Sequence, residues 1–141
     1  MKVTEGNYVK YHNEIITVSW EDIREIKRRT IKGLDVIHKP IPLTEEWLVK
    51  FGCDKEEHKN GNSFSIRISF RGNASELLTL TNKGSIKEPM WFISITLSWS
   101  DKWMPLPTRV DYVHTFQNLY HSLTGKELTY RAKPSNEELK V

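Results

Sequence analysis

Pro107-Thr108-Arg109-Val110-Asp111-Tyr112-Val113-His114-Thr115-Phe116-Gln117-Asn118-Leu119-Tyr120-His121-Ser122-Leu123-Thr124-Gly125 is the stretch whose reading decides the fold of this 141-residue chain. Its apolar residues Val110, Val113, Phe116, Tyr120 and Leu123 recur every three or four positions, and Tyr112 and Leu119 widen the stripe. That spacing places them on one face of an α-helix. Thr108 stands where an N-cap hydroxyl accepts a backbone hydrogen bond, with Asp111 three residues later as in a capping box. Gly125 suits the left-handed conformation that stops a helix, and Leu128 can fold back on the last turn. The stretch therefore predicts a closing amphipathic helix, which needs a sheet to cover its apolar face.

The sheet is legible just upstream. Phe64, Ile66, Ile68 and Phe70 alternate with Ser65, Arg67, Ser69 and Arg71, the period of a half-buried strand. Leu78 and Leu80, followed by Asn82-Lys83-Gly84, predict a second strand and a turn. Met90 to Trp99 is the third, with Trp91, Ile93, Ile95, Leu97 and Trp99 on one side. Trp103-Met104-Pro105-Leu106-Pro107 is expected to lead from it into the helix. The charged stretch from Asp54 to Asn62 lacks apolar anchors and is expected as an exposed loop.

Towards the N-terminus, Gly6-Asn7-Tyr8-Val9-Lys10-Tyr11 and Ile15-Ile16-Thr17-Val18 flank a polar turn, which predicts a β-hairpin. An opening of this kind is common in SH3-like barrels. Residues 19–29 have two readings. Ser19 with Asp22 fits a capping box for a helix carrying Trp20, Ile23 and Ile26; barrel strand and loop fit as well. Gly33 to His38 reads as a turn and a closing strand. In Pro40-Ile41-Pro42 each proline disfavours helix at the residue before it, so the connector is extended. Thr44 then caps a two-turn helix with Glu45 and Glu46 at its positive end, and Gly52 ends it.

These elements define an α+β expectation: an SH3-like β-rich unit over residues 1–40, and an α+β unit over 41–130 that shares its core. The second unit contains a short linking helix and a three-stranded antiparallel sheet packed by the C-terminal amphipathic helix. A polar tail spans 131–141. The hydrophobic fraction of 38%, with 11% aromatic residues, suffices for a packed core. No stretch approaches the roughly 20 apolar residues of a membrane span. Met1 to Glu5 has no apolar core of the signal-peptide kind. A lone cysteine, Cys53, excludes an intramolecular disulfide and fits a reducing, cytoplasmic setting.

No residue set carries a catalytic, metal or cofactor assignment. His114 and His121 lie about 10.5 Å apart by helical rise, too far to share one metal, and Asp111 adds only a second ligand to His114. Cys53 and His58 have no second pair. Glu45-Glu46 and Glu56-Glu57 are neighbours whose side chains diverge. Seven scattered glycines form no phosphate-cradling loop, and no Gly-x-Ser-x-Gly elbow is present. Two candidate surfaces remain. The run Arg24, Lys27, Arg28, Arg29 and Lys32 offers phosphate contacts, although the net charge of only +3 is small for a dedicated nucleic-acid binder. Phe92, opposite Trp91, and Trp103, in a proline-bounded segment, are candidate interface anchors.

Two motifs, Ile41-Pro42-Leu43-Thr44-Glu45-Glu46-Trp47-Leu48-Val49-Lys50-Phe51-Gly52 and Val110 to His114 with Leu119 to Leu128, resemble a group of small proteins from Bacteroides-type bacteria, their prophages and phages. Those proteins open with a similar hairpin and share an IPLTEEWL element and a YVHxLQNLYxALTGxEL-like helix. The chain departs from that pattern at Thr115-Phe116 and at Cys53. The resemblance implies a mobile-element setting and carries over no catalytic or binding residue. The resulting expectation is a non-enzymatic module that binds a protein partner or itself, without cofactor or membrane. The alternative is a nucleic-acid-binding accessory protein that uses the Arg24–Lys32 run.

Overall fold

The computed structural model describes residues 2–58, 61–71, 74–97 and 103–130. Among these residues the architecture is α+β, with two antiparallel sheets and three helices. Strands β1 (Tyr8–Tyr11) and β2 (Glu14–Thr17) form the expected hairpin. Between them His12 and Asn13 both take positive φ, 50° and 66°. Two such residues in succession match the twist of the flanking strands.

Helix α1 (Trp20–Ile31) resolves the ambiguity at residues 19–29 in favour of the capping box. The Asp22 amide donates to the Ser19 hydroxyl, and the Ser19 amide donates to the Asp22 carboxylate. Strand β3 (His38–Lys39) then pairs with β1, giving the order β2-β1-β3. Residues 1–40 thus contribute three strands and a helix where an SH3-like β-rich unit was expected. Ile23 and Ile26 turn inward, but Trp20 does not share their face and stands 65% exposed.

The connector and helix α2 (Glu45–Lys50) follow the sequence reading. The Thr44 side chain accepts from the Trp47 amide, and Gly52 takes φ 88° just past the C-cap. The second sheet is a meander of β4 (Asp54–His58), β5 (Gly61–Arg71), β6 (Ala74–Asn82), β7 (Trp91–Leu97) and β8 (Trp103–Arg109). The three expected strands are its centre, and two edge strands add to them. Where a loop was expected at 54–62, the described residues form β4 and the start of β5, in register from Asp54 opposite Ser65 to His58 opposite Gly61. The connector expected at 103–107 is β8, which pairs with β7 from Thr96–Trp103 to Phe92–Arg109 across one register shift.

Helix α3 (Val113–Thr124) starts four residues later than Thr108 as N-cap implied. Thr108 belongs to β8, and Asp111 is paired with Arg109 at 3.0 Å rather than capping the helix. The start is set by tertiary pairing. The Leu43 amide donates to the Asp111 carbonyl, Pro42 bridges Tyr112, and the Val113 amide donates to the Ile41 carbonyl. At the other end Gly125 adopts φ 73° and Leu128 folds back into the core as expected. Leu123 is 38% exposed, so the inward stripe ends at Tyr120.

One large core joins the sheet to both later helices: Leu48 from α2 and Phe51 at its C-cap, Phe64, Leu78 and Trp91 from the sheet, Phe116 from α3. Tyr8 brings β1 into this core, stacked on Tyr130 at 4.9 Å between ring centres. Burial, aided by the neighbouring Tyr8 and Glu46, pushes the Tyr130 hydroxyl pKa up to about 12. A smaller cluster of Val9, Val18 and Ile23 seats α1 on the first sheet. Residues 131–141 and Trp99 lie outside the described residues.

Candidate functional site

The capping box that starts α1 also fixes which side of the helix faces water. Asp22 is turned towards His38 on β3, whose Nε2 lies 3.0 Å from its carboxylate. That contact, with Ile23 packed on Val9 and Val18, holds one side of α1 against the first sheet. The opposite side presents Trp20, Arg24, Lys27 and Ile31 at spacings of four, three and four, a straight stripe about 16 Å long. Ile31 is 85% exposed and Leu34, just beyond the helix, 46%. The chain therefore keeps a large aromatic and a large aliphatic side chain in water at the two ends of a basic stripe.

The five candidate phosphate-contacting residues all sit on this helix or its C-cap, and they are not equivalent. Arg28 is held by Glu25 through two bonds, Nη2 at 2.7 Å and Nε at 3.2 Å. Arg29 is half-buried and directs its Nε towards the same carboxylate at 3.8 Å. The Arg28 hydrogen bond leads the effects that hold the Glu25 carboxyl below its usual range. Arg24, Lys27 and Lys32 are exposed and have no carboxylate partner among the described residues. Side chains from Glu21 to Ile31 bound a shallow furrow here. All of them come from one helix, so the furrow is open surface and not a closed pocket.

Phe92 lies on the sheet face opposite Trp91 and is half-buried. Lys83 Nζ stands 5.2 Å and Arg109 Cζ 5.9 Å from its ring centre, so two cations cover what the sequence offered as an anchor. The backbone of Trp103 opens β8 opposite Thr96, and its side chain lies outside the described residues. The structure thus brings the basic run together on one helix, and separates it from Phe92 and Trp103.

The remaining titratable candidates stay apart. His114 is buried in the first turn of α3, while His121 is exposed in its last turn. Glu46 pairs with Lys50 at 3.0 Å and Glu45 with Lys55 at 3.5 Å. Cys53 is buried at the end of α2. Among the described residues no three His, Cys, Asp or Glu side chains converge as a metal site would require. No helix among them is long and apolar enough to cross a membrane.

Trp20 and Ile31 are the surface residues that sequence reasoning missed. Trp20 stands three residues before Ile23 and six before Ile26, so its spacing imitates a core position. The available signal was the second stripe, Trp20-Arg24-Lys27-Ile31, which mixes apolar and basic residues and cannot all be buried. No protein-family model, no curated protein and no solved structure matches the chain.

Proposed function

We propose that this protein is a non-enzymatic interaction module that docks a protein partner, or a second copy of itself, on the outer face of α1. The observation that carries the reading is the exposure of Trp20 and Ile31, 65% and 85%, at the two ends of Arg24 and Lys27. A large apolar side chain forgoes about 1.5–3 kcal/mol of burial when left in water, and a partner covering both recovers it. Tryptophan and arginine are also the side chains most enriched among residues that dominate binding energy. A reducing, cytoplasmic compartment and a prophage or other mobile element are the setting this reading adopts.

Paired replacement of Trp20 and Ile31 by serine tests the surface. Both side chains are in water, so stability should shift by no more than about 0.5 kcal/mol per site. Binding to the partner, or the dimer in sedimentation velocity, should be lost. A variant that binds as the parent does removes the α1 face from the account.

One observation favours a second reading, in which the same face binds nucleic acid. Arg24, Lys27 and Lys32 are cations without a carboxylate partner among the described residues, and Trp20 beside them offers a ring on which a base could stack. Affinity would then fall steeply with salt, because each phosphate contact releases counterions.

A further inference from the structure

The outer stripe of α1 runs Trp20-Arg24-Lys27-Ile31, in steps of four, three and four residues. That is the step pattern of a seam along which two helices pack side by side. An apolar residue holds each end of the seam, and a cation holds each of its two middle positions. All four residues are exposed. The buried residues of α1, Ile23 and Ile26, lie off this seam.

Charge decides what can cover it. Arg24 and Lys27 have no carboxylate partner among the described residues. Two carboxylates of the same helix are engaged elsewhere, Asp22 with His38 and Glu25 with Arg28. A second copy of this chain is a poor occupant. Whichever way two α1 helices run along one shared seam, Arg24 and Lys27 of one meet the same two cations of the other, and like charges so placed oppose the contact. Nucleic acid is also disfavoured. Glu21 and Glu25 line the same furrow as Arg24 and Lys27, where they repel phosphates. Ile31 and Leu34 add exposed aliphatic surface that a phosphate backbone cannot use.

We infer that the α1 seam takes an acidic amphipathic helix of a different protein. Two of its apolar side chains, spaced eleven residues apart as Trp20 and Ile31 are, cover those two residues. Carboxylates at the two seam positions between them pair with Arg24 and Lys27. A helix supplies both sets at the spacing that α1 itself has, because the rise per residue is the same. Docking of a helix along a row of anchors is a common mode of recognition. The inference rests on the docking reading of the α1 face and narrows it to the charge and shape of the partner.

An aromatic photo-crosslinker at position 20 of the full chain, in cells carrying the gene, tests it when the crosslinked peptide is sequenced by mass spectrometry. The peptide should come from another protein and carry Asp or Glu between apolar residues eleven positions apart. Arg24→Glu with Lys27→Glu, both at exposed sites, should leave thermal unfolding of the purified chain unchanged and cut the adduct at least about tenfold. Lysine in place of the partner's two carboxylates should restore it. Arg24→Gln with Lys27→Gln, which removes charge without reversing it, should give an intermediate loss. An adduct that depends on Ile31 but joins a second copy of this chain, joins a segment without carboxylates, or survives the charge reversal overturns the inference and leaves the docking reading standing. A nuclease-sensitive adduct, one indifferent to Ile31→Ser, or none at all overturns both.

Discussion

The side-chain amide of Gln117, 2% exposed on α3, meets three backbone groups from outside its own helix. Its Oε1 accepts from the Tyr8 amide at 2.7 Å, and its Nε2 donates to the carbonyls of Leu128 at 2.9 Å and Gly6 at 3.3 Å. One residue thus ties the first strand and the returning C-terminal chain to the closing helix. Hydropathy spacing could not single it out, because a polar residue in a helical stripe reads as solvent-facing until its partners are known. Gln117→Leu keeps the volume but strands those three groups. Each unsatisfied buried group costs about 1–3 kcal/mol, partly offset by the gain in apolar burial. The net loss expected in urea unfolding is about 2–4 kcal/mol. A change below about 0.5 kcal/mol would mean that water replaces the amide.

At the scale of elements, what the sequence hid has a common physical cause. The central strands β5, β6 and β7 were legible because each buries one face and so alternates with period two. The missed strands β4 and β8 are the two edges of the meander. Edges avoid pairing with other molecules by carrying charge and proline. Asp54, Lys55, Glu56 and Glu57 fill β4, and Pro105 and Pro107 interrupt β8, so both looked like loops. The same logic moved the start of α3, where β8 continues to Arg109 and takes Thr108 out of any cap. The candidate site was half legible: the basic run was visible, and its apolar ends were assigned to the core or passed over.

The cap of α1 was readable because it is local, but its second role was not. Burial alone would raise the Asp22 pKa, yet hydrogen bonds from Ser19 and His38 outweigh it and hold the carboxyl below 3.8. Asp22→Ala removes both the capping box and the His38 contact, and should cost about 1–2 kcal/mol at neutral pH. The folded-state pKa is depressed, so the carboxylate contributes fully above 3.8 and loses its contribution as pH falls through the lower folded value. Parent and variant unfolding curves should therefore converge as pH falls below 3.8 and through that lower folded value. A constant gap across that range would assign the effect to packing and not to charge.

For the whole molecule, the decisive question is what the α1 face meets. Five of the chain's 21 basic residues fall between Arg24 and Lys32. Replacing Arg24, Lys27, Arg28 and Arg29 with glutamine takes the formal net charge from +3 to −1. Folding should change by no more than a few tenths of a kcal/mol per site. If nucleic acid binds here, the slope of log affinity against log salt should flatten by about one unit per lost contact. An unchanged slope in a chain that binds nucleic acid would place that surface elsewhere. No mobility shift at low salt, with single- or double-stranded DNA or RNA, would leave protein docking as the reading of α1.

That docking is tested most directly by a photo-crosslinking residue at position 20, in cells carrying the gene. A second version, with the crosslinker at the 91%-exposed Ile86 in the loop between β6 and β7, controls for mere accessibility. The account predicts one discrete adduct from position 20, to a single protein or to a second copy of this chain. That adduct should be missing from position 86 and abolished by Ile31→Ser. Adducts equal at the two positions, or none from position 20 while position 86 captures a partner, would contradict it.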